Sequence, residues 1–391
     1  MRKQKSKQTK QGLAGGTDNA DWTRRKFIAR VGGAFLSAGA LGTGLLLPDA
    51  IMASVATGRE VTIGTFGPSH CSATFVYARL KGLFQGGLTV NLVNYPDMGA
   101  IAKDLMSGKL DFGQLVVPLA FAMHTGSKPF TTKTPVVIPQ IAGTNGSALV
   151  IRSGAPIAKP ADFKGKTVAS HNALSVNHLI NVMFFESNGL VLDKDVKYKQ
   201  VDLERVGPAL KAGEIDAFVM PEPANALAEH SGSGKIYLLS KYIWPNHPCC
   251  ALVCRKDFYD KNASLVADVT RSMTRAGLAI NEAEDRESTI ALLQSSDVYK
   301  FDKIPAPVLM SAFTPGRADF YPFPYQSSAL IIIDIMKRLG LLAKDVNDKK
   351  LAGEVFLSGL SRKLMKEVGA EAPVKDHRME KILGKIKTFG A

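Results

Sequence analysis

Two fragments of the chain, LMSGKLDFGQLVVP at 105–118 and LKAGEIDAFVMPEP at 210–223, follow one pattern, with Gly108 on Gly213, Asp111 on Asp216 and Pro118 on Pro223. In each, a helical pattern stops at a glycine, which ends helices readily because it tolerates left-handed backbone. A short apolar run follows, and a proline then marks the next helix start, where its missing N–H costs little. The echo predicts two similar lobes, although generic helix-to-strand connections under similar packing demands would also produce it.

Working outward, the same rhythm surrounds both fragments. VTIGTF (61–66), LTVNLVNY (88–95) and LDFGQLVV (110–117) read as strands, separated by helical patterns at 72–84 and 99–108. After residue 165, KTVAS, VKYKQVD, IDAFVM and KIYLLS alternate with helical stretches in the same way. Short apolar strands separated by helices imply crossover units, hence mainly parallel sheets covered on both faces. Beyond about Lys256 the pattern is mostly helical, broken by FTPGRADFYPFPYQ, and its long helices are expected to lie across the first sheet. Crossings near residues 150 and 250 would join the lobes and leave a cleft, where ligands of open parallel sheets sit beyond strand ends.

The 391 residues suffice for two cores, and 46% hydrophobic with 21% charged residues excludes a disordered chain. A net charge of +14 raises the question of nucleic acid. Residues 1–56, however, carry nine Lys or Arg against three Asp, and Arg362–Lys387 carries eight against four acidic residues. Little excess is left for the body, no basic stripe is interleaved with aromatics, and nucleic-acid binding is not expected.

The head reads as a basic region, a weakly apolar Gly/Ala-rich stretch and small residues at Ser54 and Ala56, the three-part pattern of an export signal. TRRKFI at 23–28 resembles the twin-arginine signal, which implies the twin-arginine export machinery as a partner during targeting and a periplasmic destination. An uncleaved anchoring helix is the alternative.

The stretch IWPNHPCCALVC (243–254) holds a histidine and three of the four cysteines. His247, Cys249, Cys250 and Cys254, with Cys71 or His70 completing the set, are soft zinc or copper ligand types. Strand alternation, however, puts Cys250 and Cys254 on one face and Cys249 on the other. A pocket-lining role for His247 or Cys249, or plain packing, is therefore preferred, and neither metal nor cofactor is expected. A thiol enzyme would need a base and oxyanion donors that the sequence does not reveal, so no catalytic residue is assigned.

Taken in order, ARLKGLFQGGLTVNLVNYPDMGAIAKDLMSGKLDFGQLVVP, PADFKGKTVA, LKAGEIDAFVMPEP and HPCCALVCRKDF resemble the periplasmic substrate-binding proteins of ABC importers for nitrate, bicarbonate, sulfonates and taurine. PLAFAMHTG followed by PQIAGTNGSALVIRSG tilts the likeness toward the nitrate and bicarbonate branch. The resemblance implies an α/β type II periplasmic binding protein fold, with two lobes and a central ligand cleft. It also implies no enzymatic activity, a small polar or anionic solute, and delivery to an ABC-type inner-membrane permease. A monomer is expected. Sensing or precursor delivery by the same module, and a metal- or thiol-dependent enzyme, are the alternatives.

The expected division is a leader at 1–56, lobe 1 at 57–150, lobe 2 at 151–250, a return to lobe 1 at 251–370 and a basic extension at 371–391. In nitrate-binding members the resemblance implies an aromatic residue, a glutamine after Asn-Gly, a helix-borne histidine and a lysine before His-Pro. These fall here near Tyr95, at Ser147, near Asn177 or His178, and at Pro245, so the glutamine and lysine are absent. Ser69 and His70 in the first strand-to-helix loop, Tyr95 at the next strand end, Gln114 and Val117, and Asn145 and Ser147 at the crossing are candidate ligand contacts. From the second lobe come Asn172, Asn177, His178, Met220 and Glu222, with His247 and Cys249 from the return. Glu222 is expected to meet a backbone N–H, turn away, or favour a cationic or neutral ligand group, because a buried carboxylate facing an anion is costly.

Overall fold

The computed structural model describes residues 59–389, so the leader lies outside the described residues. The chain opens with β1 (Arg59–Thr65), α1 (His70–Leu80), β2 (Leu88–Asn94), α2 (Met98–Met106), β3 (Phe112–Val116), α3 (Val117–Thr125) and β4 (Val136–Asn145). A second set then runs β5 (Ser147–Arg152), β6 (Thr167–Ser170), α4 (Val176–Ser187), β7 (Lys197–Gln200), α5 (Val206–Lys211), β8 (Ala217–Pro221), α6 (Ala224–His230), β9 (Gly234–Leu239) and α7 (Ser240–Ile243). The return consists of β10 (Pro248–Arg255), α8 (Lys256–Lys261), α9 (Ala263–Glu282), α10 (Arg286–Gln294), α11 (Ala306–Ala312) and β11 (Ala318–Asp319). It ends with α12 (Gln326–Arg338), α13 (Asp348–Val355), α14 (Ser358–Glu367) and the hairpin β12 (Glu380–Ile382) and β13 (Lys385–Lys387).

Two sheets result, ordered β2-β1-β3-β10-β4-β11 and β7-β6-β8-β5-β9. Both place the second, first and third strands side by side and then the strand that arrives from the other sheet. The first three strands are parallel in each sheet, whereas β10 and β5 run antiparallel to their neighbours. The sheets are therefore mixed, not parallel throughout: a strand that enters through a crossing meets its neighbours head to tail.

The echoed fragments form β3 and β8, which occupy equivalent places. Each turns into its strand through a glycine with positive φ, Gly108 at 81° and Gly213 at 74°. The paired aspartates also do the same work. Asp111 accepts from the Thr62 backbone N–H at 2.9 Å, and Asp216 accepts from the Thr167 N–H at 2.9 Å. Each carboxylate thus ties the third strand to the first, satisfying a strand-edge donor with a charge-assisted bond.

α9 packs with β1, β2, β4 and β10 in one core, through Val266, Val269, Met273 and Ala276. α12 packs on the opposite face with α3 and α13, through Ile331, Ile332, Ile335 and Met336. The long C-terminal helices therefore sandwich the first sheet. The last segment does not trail away, because Glu380 is 1% exposed. Its carboxylate accepts from Trp244 Nε1 at 2.7 Å, Ser327 Oγ at 2.8 Å, Ser328 Oγ at 2.7 Å and Arg378 Nε at 3.0 Å. No helix among the described residues is long and apolar enough to cross a membrane.

Candidate functional site

The chain passes between the sheets twice, at Asn145–Ser147 and between α7 and β10. Each passage turns on an asparagine with φ of 56°, Asn145 and Asn246, a residue type that tolerates left-handed backbone better than most. The two asparagines staple the passages together. Asn145 Oδ1 accepts from the Asn246 N–H at 2.8 Å, while its Nδ2 donates to Asp319 at 2.7 Å and to Asn246 Oδ1 at 3.3 Å. Gly146 between the strands donates its N–H to the Arg317 carbonyl and accepts from the Glu222 N–H, both at 2.8 Å.

Glu222 is fully buried and its carboxylate is committed within the protein. It accepts from Arg317 Nε at 2.5 Å and from the Ala226 N–H at 3.1 Å. Burial pushes its pKa up, and the Arg317 guanidinium opposes that shift. Of the three fates expected for Glu222, the structure supplies a backbone N–H and adds an arginine from the FTPGRADF break, 95 residues away.

Ser147 and Asn177 meet at the first passage, where Asn177 Nδ2 donates to Ser147 Oγ at 2.9 Å. His178, one residue on and turned round the helix, faces Tyr198 with ring centroids 4.5 Å apart. Burial lowers its pKa to about 4. The helix thus sends Asn177 to the hinge and His178 to the sheet edge. His247 completes the hinge, its Nε2 2.9 Å from Ser240 Oγ, and burial lowers its pKa to about 3.

The loops after the first strand of each sheet face one another. Phe66 follows β1, His171 follows β6, and their rings stack at 6.0 Å and 27°. Gln114 Oε1 accepts from the Phe66 N–H at 3.2 Å, whereas Gln114 Nε2 and His171 Nδ1 are buried without partners among the described residues. Phe66 and His171 escaped the sequence reading, although both are the first residue beyond an initial strand, where a sheet ligand is expected.

Other candidates are placed elsewhere. Ser69 caps α1, accepting from the Ser72 N–H at 3.3 Å in a reciprocal capping box. The Tyr95 hydroxyl donates to Asp104 of α2 at 2.7 Å, and burial with that carboxylate raises its pKa to about 12. Val117 and Met220 belong to hydrophobic cores. Asn172 accepts through its carbonyl from Ser175, closing the turn ahead of α4.

Cys249 does not face away from Cys250. Ala251 and Val253 join one core and Leu252 and Cys254 the other, as alternation demands, but Cys249 and Cys250 both join the first, with Cys71. The pairing of β10 with β4 slips between Pro248 and Cys250 and again between Cys250 and Ala251. Such irregularities insert residues and re-aim side chains, so the period of two fails at this point. His70 is also buried there, with Nε2 3.3 Å from Cys71 Sγ. Burial holds the Cys71 thiol well above its ordinary pKa, and a hydrogen bond with Cys250 raises that of Cys249. Burial also acts to raise that of Cys250, but the Cys249 and Cys71 thiols and His70 outweigh it and lower it.

The family model described as the NMT1-like family matches residues 56–294. The chain belongs to the NMT1-like family. Among its relatives, a nitrate/nitrite binding protein NrtA from Nostoc sp. is 22% identical, over 80% of this chain and 79% of that protein. A nitrate import ATP-binding protein NrtC from Synechocystis sp. is 26% identical over 58% of this chain, which spans only 36% of that relative's length. The crystal structure of the periplasmic nitrate-binding protein NrtA from Synechocystis PCC 6803 superposes with a TM-score of 0.73 at 17% identity, covering 84% of this chain and 94% of that one. This NMT1-like chain therefore has the type II periplasmic binding protein fold.

Proposed function

We propose that this chain is an extracytoplasmic solute-binding protein that traps a small polar or anionic solute between its two sheets and presents the closed form to an ABC-type permease. The reading rests on one observation above all. The loops beyond the first strands of both sheets converge, Phe66 on His171, over buried polar atoms, Gln114 Nε2 and His171 Nδ1, that have no hydrogen-bond partner among the described residues. Such atoms are costly unless something else bonds them, and a solute enclosed between the lobes would do so. Nitrate and nitrite binding by the NrtA relative supplies the class of solute.

The hinge argues for a weakly charged or well hydrogen-bonded solute over a bare inorganic anion. Both arginines at the passages are paired with buried glutamates, Arg317 with Glu222 and Arg378 with Glu380, although Arg317 Nη2 is buried without a partner among the described residues. The roles assigned to Gln114, Asn145, Ser147, Asn177 and His247 are part of this proposal. Gln114 contacts the solute, and the other four hold the passages on which closure turns. Ligand binding shifts the population toward the closed form, with no bond made or broken.

A thermal-shift panel of nitrate, bicarbonate, alkanesulfonates and small neutral amides tests the class of solute. Small-angle scattering with the best ligand then tests closure. The expected result is one class that raises the melting temperature and compacts the protein. Saturated binding with unchanged dimensions refutes the closure mechanism.

A further inference from the structure

Below the cleft, soft ligand atoms from two distant parts of the chain meet inside the first lobe. His70 and Cys71 open α1, while Cys249 and Cys250 lie at the irregular start of β10. One ligand atom each from His70, Cys71 and Cys249 lie within 4.8 Å of one another, and all three residues are buried. A tetrahedral zinc ion, with Zn–S near 2.3 Å and Zn–N near 2.0 Å, sets its ligand atoms roughly 3.5–3.8 Å apart.

The backbone keeps room for the cluster. A Cβ on Gly143 would lie 3.0 Å from Cys71 Sγ, and one on Gly146 would lie 2.2 Å from His70 Nε2. Gln114, beside the Cys250 thiol, is fully buried. We propose that His70, Cys71 and Cys249 bind one zinc ion, with Cys250 placed to supply the fourth ligand. The ion would replace the thiol protons of Cys71 and Cys249, which leave to solvent. With these three ligands the site carries no net charge; Cys250, binding as a thiolate, releases a third proton to solvent and brings the site to −1, a charge the Gln114 side chain beside that sulfur helps to bear. The site goes beyond solute capture, since it would tie the first helix to the returning strand under the hinge.

The test uses the full chain, purified under reducing conditions without a metal-affinity step. Elemental analysis after zinc loading and desalting is expected to give one zinc per chain. Cobalt substitution is expected to give a thiolate-to-cobalt charge-transfer band. In competition with a chromophoric chelator, Cys249→Ser and Cys71→Ala are expected to weaken binding by more than about 100-fold, beyond the 10–100-fold that loss of a supporting group costs. Cys254→Ala, in the other core, is expected to leave stoichiometry unchanged. Circular dichroism checks that each variant folds, and if neither ligand variant does, the wild-type cobalt spectrum decides. Reduced wild-type protein that retains neither metal, unchanged affinity in both ligand variants, or preference for Cu(I) in a parallel titration would each overturn the zinc assignment.

Discussion

Gly146→Ala tests the hinge at its most crowded point. Gly146 has φ of 73°, and a Cβ there would meet three atoms of the His70 ring at 2.2, 2.4 and 2.5 Å. An L-residue in left-handed backbone costs about 1–2 kcal/mol, and overpacking a well-filled site costs about 1–3 kcal/mol more. The backbone has little freedom to yield, because the Gly146 N–H and C=O are both hydrogen-bonded, to Arg317 and Glu222. The expected loss is therefore about 2–5 kcal/mol. Gly154→Ala is the control, with φ of 76° and nothing within 4 Å of the added Cβ, so it carries the backbone cost alone. Equilibrium denaturation followed by circular dichroism, compared at equal m-values, reads both losses. In a His70→Ala background the excess at Gly146 should vanish, since the double-mutant cycle isolates the contact. The reasoning fails if Gly146→Ala costs no more than Gly154→Ala, or if its excess persists without the imidazole.

Two further outcomes follow from buried charges. Glu380→Gln leaves Arg378 without its anion and places an amide NH2 against hydroxyl and indole donors, so a stability loss of about 3 kcal/mol is expected by denaturation; a loss under about 0.5 kcal/mol would show the C-terminal hairpin to be dispensable. Burial beside Tyr198 lowers the His178 pKa from 6.5 to about 4, against the Asp193 carboxylate, which acts to raise it. The unfolded chain therefore takes up a proton there before the folded one does. Stability should fall as pH drops from about 6.5 to about 4, by about 3 kcal/mol from this residue, and level off below that. His178→Phe should flatten that part of the acid limb in a pH series of melts, and an unchanged slope refutes the burial argument.

Local periodicity carried the architecture. The echo at 105–118 and 210–223 identified the third strand of each sheet, and the Asp111 and Asp216 clamps show why the aspartate recurs. Helix and strand spans came out within a few residues because each depends on neighbours in sequence. Sheet direction at β5 and β10 did not, because an antiparallel entry depends on where the chain arrives from. Ser69, a candidate ligand contact, caps α1 in a reciprocal box with Ser72.

By itself, then, the sequence determined two α/β lobes, the turns that punctuate them and the glycine positions that must be left-handed, since these follow from residue-scale sterics and apolar spacing. The tertiary structure alone decided which distant groups meet. It gave Glu222 the guanidinium of Arg317, joined Asn145 to Asn246, brought Cys249 to His70 and Cys71, and through slipped pairing at β10 turned Cys250 into the same core. Those contacts join residues about 95 to 180 positions apart, and no local pattern fixes partners across such distances. Chain return and strand register do.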